Sequence, residues 1–272
     1  MLYVGILMKT SFFLTLSIGL FFSIPPLLAL VTVPGALTHE QKIQKKDSIQ
    51  GTIPIHNEGD EEAIVKITLT DYLFTAEGQS SFPPAGTSSR SNASWISFGA
   101  SEVKIAPHSI YNFTYSLKVP DKEELTGTYW SIFLIEPIQE KFSSSDKKQS
   151  LGVQTIIRYG IQVISHAGET GSYNLKILDK KLLKEQESKT FLLDVENSGT
   201  KMQSPNLTLE VIDSQGVKTG RFTAEKQRIF PTCSVNYQID LSSIAPGKYK
   251  AMAILDHAET ALFGAQYDLD ID

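Results

Sequence analysis

The sequence predicts an all-β protein made of two tandem β-sandwiches behind an N-terminal export signal. Three observations lead there. Apolar and polar residues alternate over many short runs, and turn residues separate those runs at roughly 8–12-residue spacing. A strand–turn–strand pattern also occurs twice along the chain. No segment sustains the helical 3.6-residue period for three turns, so the alternation is the dominant signal.

The N-terminal segment comes first. Met1 to Thr10 carries one charge, Lys9, and Ser11 to Val33 is almost wholly apolar. A charged start, an apolar core and a small-residue exit form the pattern of a secretory signal, with Ala29 as the expected last residue before cleavage. The apolar run is also long enough to span a bilayer, so a retained anchor is the alternative. Pro25-Pro26 interrupts it where a signal would end. No cysteine follows the apolar core, which excludes a lipoprotein anchor. The expected boundaries are 1–29 signal, 30–165 first sandwich, 166–171 linker and 172–272 second sandwich. Membrane contact is expected only through an uncleaved signal segment.

The strands follow in order. Ala63, Val65, Ile67 and Leu69 alternate with polar residues, as do Phe113, Tyr115, Leu117 and Val119. Phe191, Leu193 and Val195 repeat the pattern, followed by Leu207, Leu209 and Val211, and by Val235, Tyr237, Ile239 and Leu241. Residues 53–71 and 191–213 share the order strand, Asn-x-Gly turn, strand, Asp. Gly127 and Gly247 are each followed two residues later by a tyrosine, Tyr129 and Tyr249. That spacing matches the tyrosine corner of immunoglobulin-like sandwiches, where the phenol bonds back to upstream backbone. The first unit is longer than the second, and the Gly/Ser/Pro-rich stretch Thr75 to Ser94 is expected to be a long loop.

Composition narrows the function. The 272 residues are 41% hydrophobic and 20% charged, an ordinary folding composition. A net charge of −5 gives a nucleic-acid partner no electrostatic support, and losing residues 1–29 with Lys9 takes it to −6. One cysteine, Cys233, permits neither an internal disulfide nor a four-cysteine zinc site, and it is expected to be a buried thiol. The five histidines are scattered, and neither an HExxH nor a GxSxG motif occurs. The turn His56 to Glu62 offers metal-like oxygens without calcium-loop spacing. Trp95 and Trp130 lie in apolar strand contexts that favour core packing over sugar stacking. Asn-x-Ser/Thr triplets begin at Asn92, Asn112 and Asn206. No enzyme, no metal and no cofactor is expected.

The order of motifs Asn57 to Asp60, Ala93 to Ile96, Pro107-His108 and Pro120 to Trp130 resembles secreted bacterial proteins with tandem immunoglobulin-like domains. These are the periplasmic pilus-assembly chaperones and, more closely, the WxL-interacting surface proteins. The resemblance covers residues 35–165 in detail and the remainder by architecture. It implies an exported, periplasmic or cell-surface, non-catalytic module whose partner is another exported or cell-envelope protein. In the chaperones the last strand of the first domain is lent to an incomplete subunit, with backbone pairing for affinity and side-chain pockets for specificity. Here that strand is expected over Val153 to Ile164, which makes Val153, Ile157, Arg158, Tyr159, Ile161 and Val163 the expected partner-binding residues; the alternative is that this apolar face packs in its own sandwich. The chaperones also hold a terminal carboxylate with two basic residues. Arg158 matches the second, whereas Gln41 stands where the first is expected and Lys42 falls on the opposite face. The alternative role is a structural wall-associated protein that binds through loop 75–94.

Overall fold

The computed structural model describes residues 31–121, 124–138, 156–185, 188–257 and 261–271. The expected signal segment, 1–29, lies outside them. Strands fill both halves, and no α-helix occurs among the described residues. The first half contains β1 (Val31–Thr32), β2 (Thr38–Ile43), β3 (Ser48–Asn57), β4 (Ala63–Thr70), β5 (Leu73–Phe74) and β6 (Ser80–Ser81). It continues with β7 (Ile96–Phe98), β8 (Glu102–Ile105), β9 (Ser109–Lys118), β10 (Gly127–Ile138) and β11 (Tyr159–Ala167). The second half contains β12 (Leu175–Glu185), β13 (Ser188–Asn197), β14 (Asn206–Ile212), β15 (Lys218–Thr223), β16 (Ser234–Asp240), β17 (Gly247–His257) and β18 (Ala261–Ile271).

Each half is a two-sheet sandwich. In the first, the sheet β1-β3-β9-β7 faces the sheet β2-β11-β10-β4-β8. In the second, β12-β13-β16 faces β15-β14-β17-β18. The alternating residues of the sequence point into these two cores: Val65, Ile67, Phe113 and Leu117 in one, Phe191, Leu193, Leu209 and Tyr237 in the other. Phe98, Phe113 and Phe133 meet edge to face at 5.1–5.6 Å between centroids, a favourable aromatic geometry.

The sequence repeat has one physical cause. Asn57 is buried at the end of β3; its amide donates to Glu61 O at 2.7 Å and Ile105 O at 3.0 Å, while its Oδ1 accepts from Gly59 N. Asn197 at the end of β13 does the same with Lys201 O at 2.8 Å, Ile229 O at 2.9 Å and Gly199 N. One side chain thus closes its own turn and ties it to a segment distant in sequence. The tyrosine pattern is also realised. Tyr249 donates to Ala245 O at 2.9 Å, and the Tyr129 phenol oxygen accepts from Thr126 N at 3.5 Å.

Three boundaries differ from expectation. β11 runs to Ala167, so His166 belongs to the first sandwich and the linking stretch begins at Gly168. Hydrogen bonds from His166 to Thr128 and Glu40 hold it there. The stretch 75–94 is not one open loop: it contains β6 and a 3₁₀ turn at Ala93–Trp95. Asp71 gathers it by accepting from Gly86 N, Thr87 Oγ1, Ser88 N and Ser91 Oγ, and buried Asn92 donates to Val163 O and Ser165 Oγ. Asn92 is therefore no glycan acceptor. Finally, the strand expected at 153–164 is observed at 159–167, and Val153 lies outside the described residues.

The two sandwiches are joined rather than strung. Thr128 N donates to Thr200 O at 2.8 Å, and Met202 N donates to Thr128 Oγ1 at 2.8 Å. Trp130 stacks on Phe230 at 4.7 Å between centroids, and Ile164 and Cys233 complete a buried cluster that spans both domains.

Candidate functional site: an uncovered strand edge beside the interdomain cleft

β11 has two edges with different fates. One pairs with β10 along its whole length, from Tyr159 opposite Ile135 to Ala167 opposite Gly127. The other pairs in parallel with β2, but only from Gln162 onward, where Gln162 N donates to Leu37 O at 2.9 Å. Backbone groups alternate sides along a strand, so the groups that reach β2 at Gln162 repeat at Gly160 and Arg158. Among the described residues no strand covers the edge there. Unpaired backbone donors and acceptors on a sheet edge are a template for another chain.

The six expected binding residues fall into different places. Ile161 and Val163 are fully buried in the first core, and β2 already lies alongside the strand at Val163. Their side chains fill their own sandwich, because the inward parity of β11 continues through Ser165 and Ala167. Tyr159 is half-buried against the same core. Arg158 lies just before the strand, paired with Glu136 at 2.9 Å. Ile157 is 41% exposed, and Ile156, which the alternation argument passed over, is 51% exposed. Ile138 at the end of β10 is also exposed. Only the beginning of the expected strand offers apolar surface.

The two-cation anchor does not assemble. Lys42 pairs with Glu169, and the buried amide nitrogen of Gln41 has no hydrogen-bond partner among the described residues. Where the two domains meet, a cleft of about 860 Å³ opens instead, lined on one side by Thr38, Tyr72 and Gln162 and on the other by Gln227, Arg228 and Asn236. Its cation, Arg228, comes from the second domain and sits 3.8 Å from Glu40. Sequence reasoning missed Arg228, because nothing in its neighbourhood signals that it faces β2 across a domain joint.

Other candidate chemistry is absorbed locally. Burial pushes the Cys233 thiol up to about 11, which keeps it protonated and poorly nucleophilic. His56 meets Glu58 at 2.7 Å and His108 meets Asp60 at 2.8 Å, so the carboxylates of the acidic turn are engaged one by one by neighbouring histidines. No group of three or more metal-ligating side chains occurs among the described residues. Among those residues no helix is long and apolar enough to cross a membrane. His39 Nδ1 meets the Tyr115 hydroxyl at 2.8 Å, which links β2 of one sheet to β9 of the other. Desolvation holds His39 below the ordinary imidazole value and raises Tyr115 to about 12.

No protein-family model matches the chain. No curated protein matches it either. Solved structures do. A chaperone–tip adhesin complex of CFA/I fimbriae biogenesis aligns with 88% of this chain and 98% of its own at 10% identity, TM-score 0.48. The class 5 fimbriae chaperone CfaA covers the same shares at 11% identity, TM-score 0.43. The CsuC–CsuE chaperone–tip adhesion subunit pre-assembly complex of Acinetobacter baumannii aligns with 87% of this chain and 98% of its own at 12% identity, TM-score 0.44. Fimbrial chaperones are thus what this two-sandwich chain is similar to, at low identity.

Proposed function

We propose that the chain is an exported, non-catalytic protein-binding module of the cell envelope that works in a chaperone-like way. It receives an extended segment of another exported protein alongside the first residues of β11. One observation carries the reading: β2 leaves the outer edge of β11 uncovered before Gln162, next to exposed Ile156 and Ile157, and Gln162 itself lines the interdomain cleft. Backbone pairing along an open edge supplies affinity, and side-chain contacts supply specificity. Ile156, Ile157, Arg158 and Tyr159 are the contact residues in this reading. Ile161 contributes backbone geometry only.

The alternative, wall binding through 75–94, has less behind it. Asp71 and Asn92 hold that stretch internally, and Ala76 N donates to Ser234 Oγ of the second domain at 2.9 Å.

The test is a photo-crosslinking residue placed at Ile157 in the full chain, compared with the same probe in loop 75–94. An Ile156→Asp variant that carries the same probe at position 157, checked for unchanged thermal unfolding, is the control. The reading expects one exported protein to crosslink from position 157 and the yield to fall sharply in the folded Ile156→Asp variant. Equal capture by that variant, or crosslinking from the loop alone, contradicts it.

A further inference from the structure

A second concavity, of about 500 Å³, lies on the first domain between the 89–95 segment and Pro120, Glu124 and Leu125. That volume is within the roughly 300–1,000 Å³ of small-ligand sites. Its apolar floor is an aromatic pair, Trp95 and Tyr129, with ring centroids 4.8 Å apart and both rings half-buried. Its rim is polar. The hydroxyls of Ser89 and Ser94, the indole N–H of Trp95 and the carboxylate of Glu124 have no hydrogen-bond partner among the described residues.

From this arrangement we infer that the cleft binds a neutral pyranose sugar, whose apolar ring face lies on Trp95 and whose hydroxyls meet Ser89, Ser94 and Glu124. Each element of the site selects for that class. The floor is a small aromatic surface suited to one flat, weakly apolar ring face. The rim offers free donors together with free acceptors, and a hydroxyl-bearing ligand answers both at once. An anionic ligand is disfavoured, because Glu124 faces the cleft and the nearby cation is already engaged: Arg90 lies over the Tyr129 ring at 5.2 Å and donates to Thr126 O. An extended proline-rich peptide would suit the aromatic pair but brings mainly carbonyl acceptors, which leaves the Glu124 carboxylate without a donor. The site is separate from the β11 edge, and its argument does not rest on the binding reading given above.

The chain's two tryptophans make the test direct. Trp130 is buried on Phe230 with its indole bonded to Tyr72 O at 2.7 Å, so a ligand in this cleft changes the emission of Trp95. The full chain is titrated with maltotriose and with tri-N-acetylchitotriose, and a decaproline peptide serves as the competing occupant. The expected result is a saturable emission change with at least one sugar. It should weaken about tenfold or more in Glu124→Gln, since a charge-assisted hydrogen bond is lost, and also fall in Ser94→Ala. Both positions are exposed, so unchanged thermal unfolding is expected and is checked alongside. Three outcomes overturn the inference: no saturable response to either sugar, a response unchanged in both variants, or saturation by decaproline alone.

Discussion

Asn57 and Asn197 show how much structure one side chain can organise. Each is buried, accepts from a turn amide and donates to carbonyls both in its own turn and far along the chain. Replacing Asn197 by Ala or by Asp takes the side-chain donor from the Lys201 carbonyl and leaves the Ile229 carbonyl with the Gln203 amide alone. An unsatisfied buried polar group costs about 1–3 kcal/mol. The expected loss for either variant is therefore about 3 kcal/mol, read from urea unfolding, and a change below about 1 kcal/mol contradicts the assigned role. Cys233 gives a pH prediction. Burial holds its folded value at about 11 against about 9 in the unfolded chain. Between these values the unfolded chain gives up the proton and the folded chain keeps it, so stability falls as pH rises, by up to about 2–3 kcal/mol. Cys233→Ala should flatten that decline, and the native thiol should stay silent to a thiol reagent near neutral pH. Rapid labelling of the folded chain would contradict this.

At the scale of elements, alternation was the readable quantity. The runs at 63–69, 191–195 and 207–211 fall within observed strands, and those at 113–119 and 235–241 overrun theirs by one buried residue each, Val119 and Leu241; each run has one face in a core and one in water. The repeat read as Asn-x-Gly turns was also real, but the side-chain bonds to Ile105 and Ile229 that give it meaning are not local and left no local signal. β11 exposes the limit of the method. Alternation cannot tell a face turned to the chain's own core from one turned to a partner, so Ile161 and Val163 looked available though both are fully buried. Nor does it reveal that β2 lies alongside in parallel and stops at Gln162. A glycine supplies another element-level prediction. Gly51 stands directly opposite Tyr115 in the β3–β9 register, and a Cβ there would overlap the Tyr115 ring. Gly51→Ala should displace the ring, break its contact with His39 and cost about 1–3 kcal/mol, the usual range for overpacking. An unchanged thermal midpoint would show that Tyr115 yields freely.

At the scale of the whole molecule, the joint between the sandwiches determines whether the cleft has a fixed shape. Gly127, at a φ of +74°, packs where a Cβ would overlap the Thr200 carbonyl oxygen. The Trp130–Phe230 stack and the Thr128 bonds lie beside it. Gly127→Ala combines backbone strain with a steric clash and should cost about 3 kcal/mol. It should also split one cooperative unfolding transition into two, and a single unshifted transition would mean that the joint carries no coupling. The functional account rests on a simpler property, the state of the β11 edge, which site-resolved amide hydrogen exchange on the isolated chain reads directly. The account predicts that Arg158 and Gly160 exchange fast, while Ile161, whose amide faces β10, and Gln162, bonded to Leu37, exchange slowly. Strong protection at Arg158 and Gly160 without a partner would mean that the edge is already covered, and would contradict it.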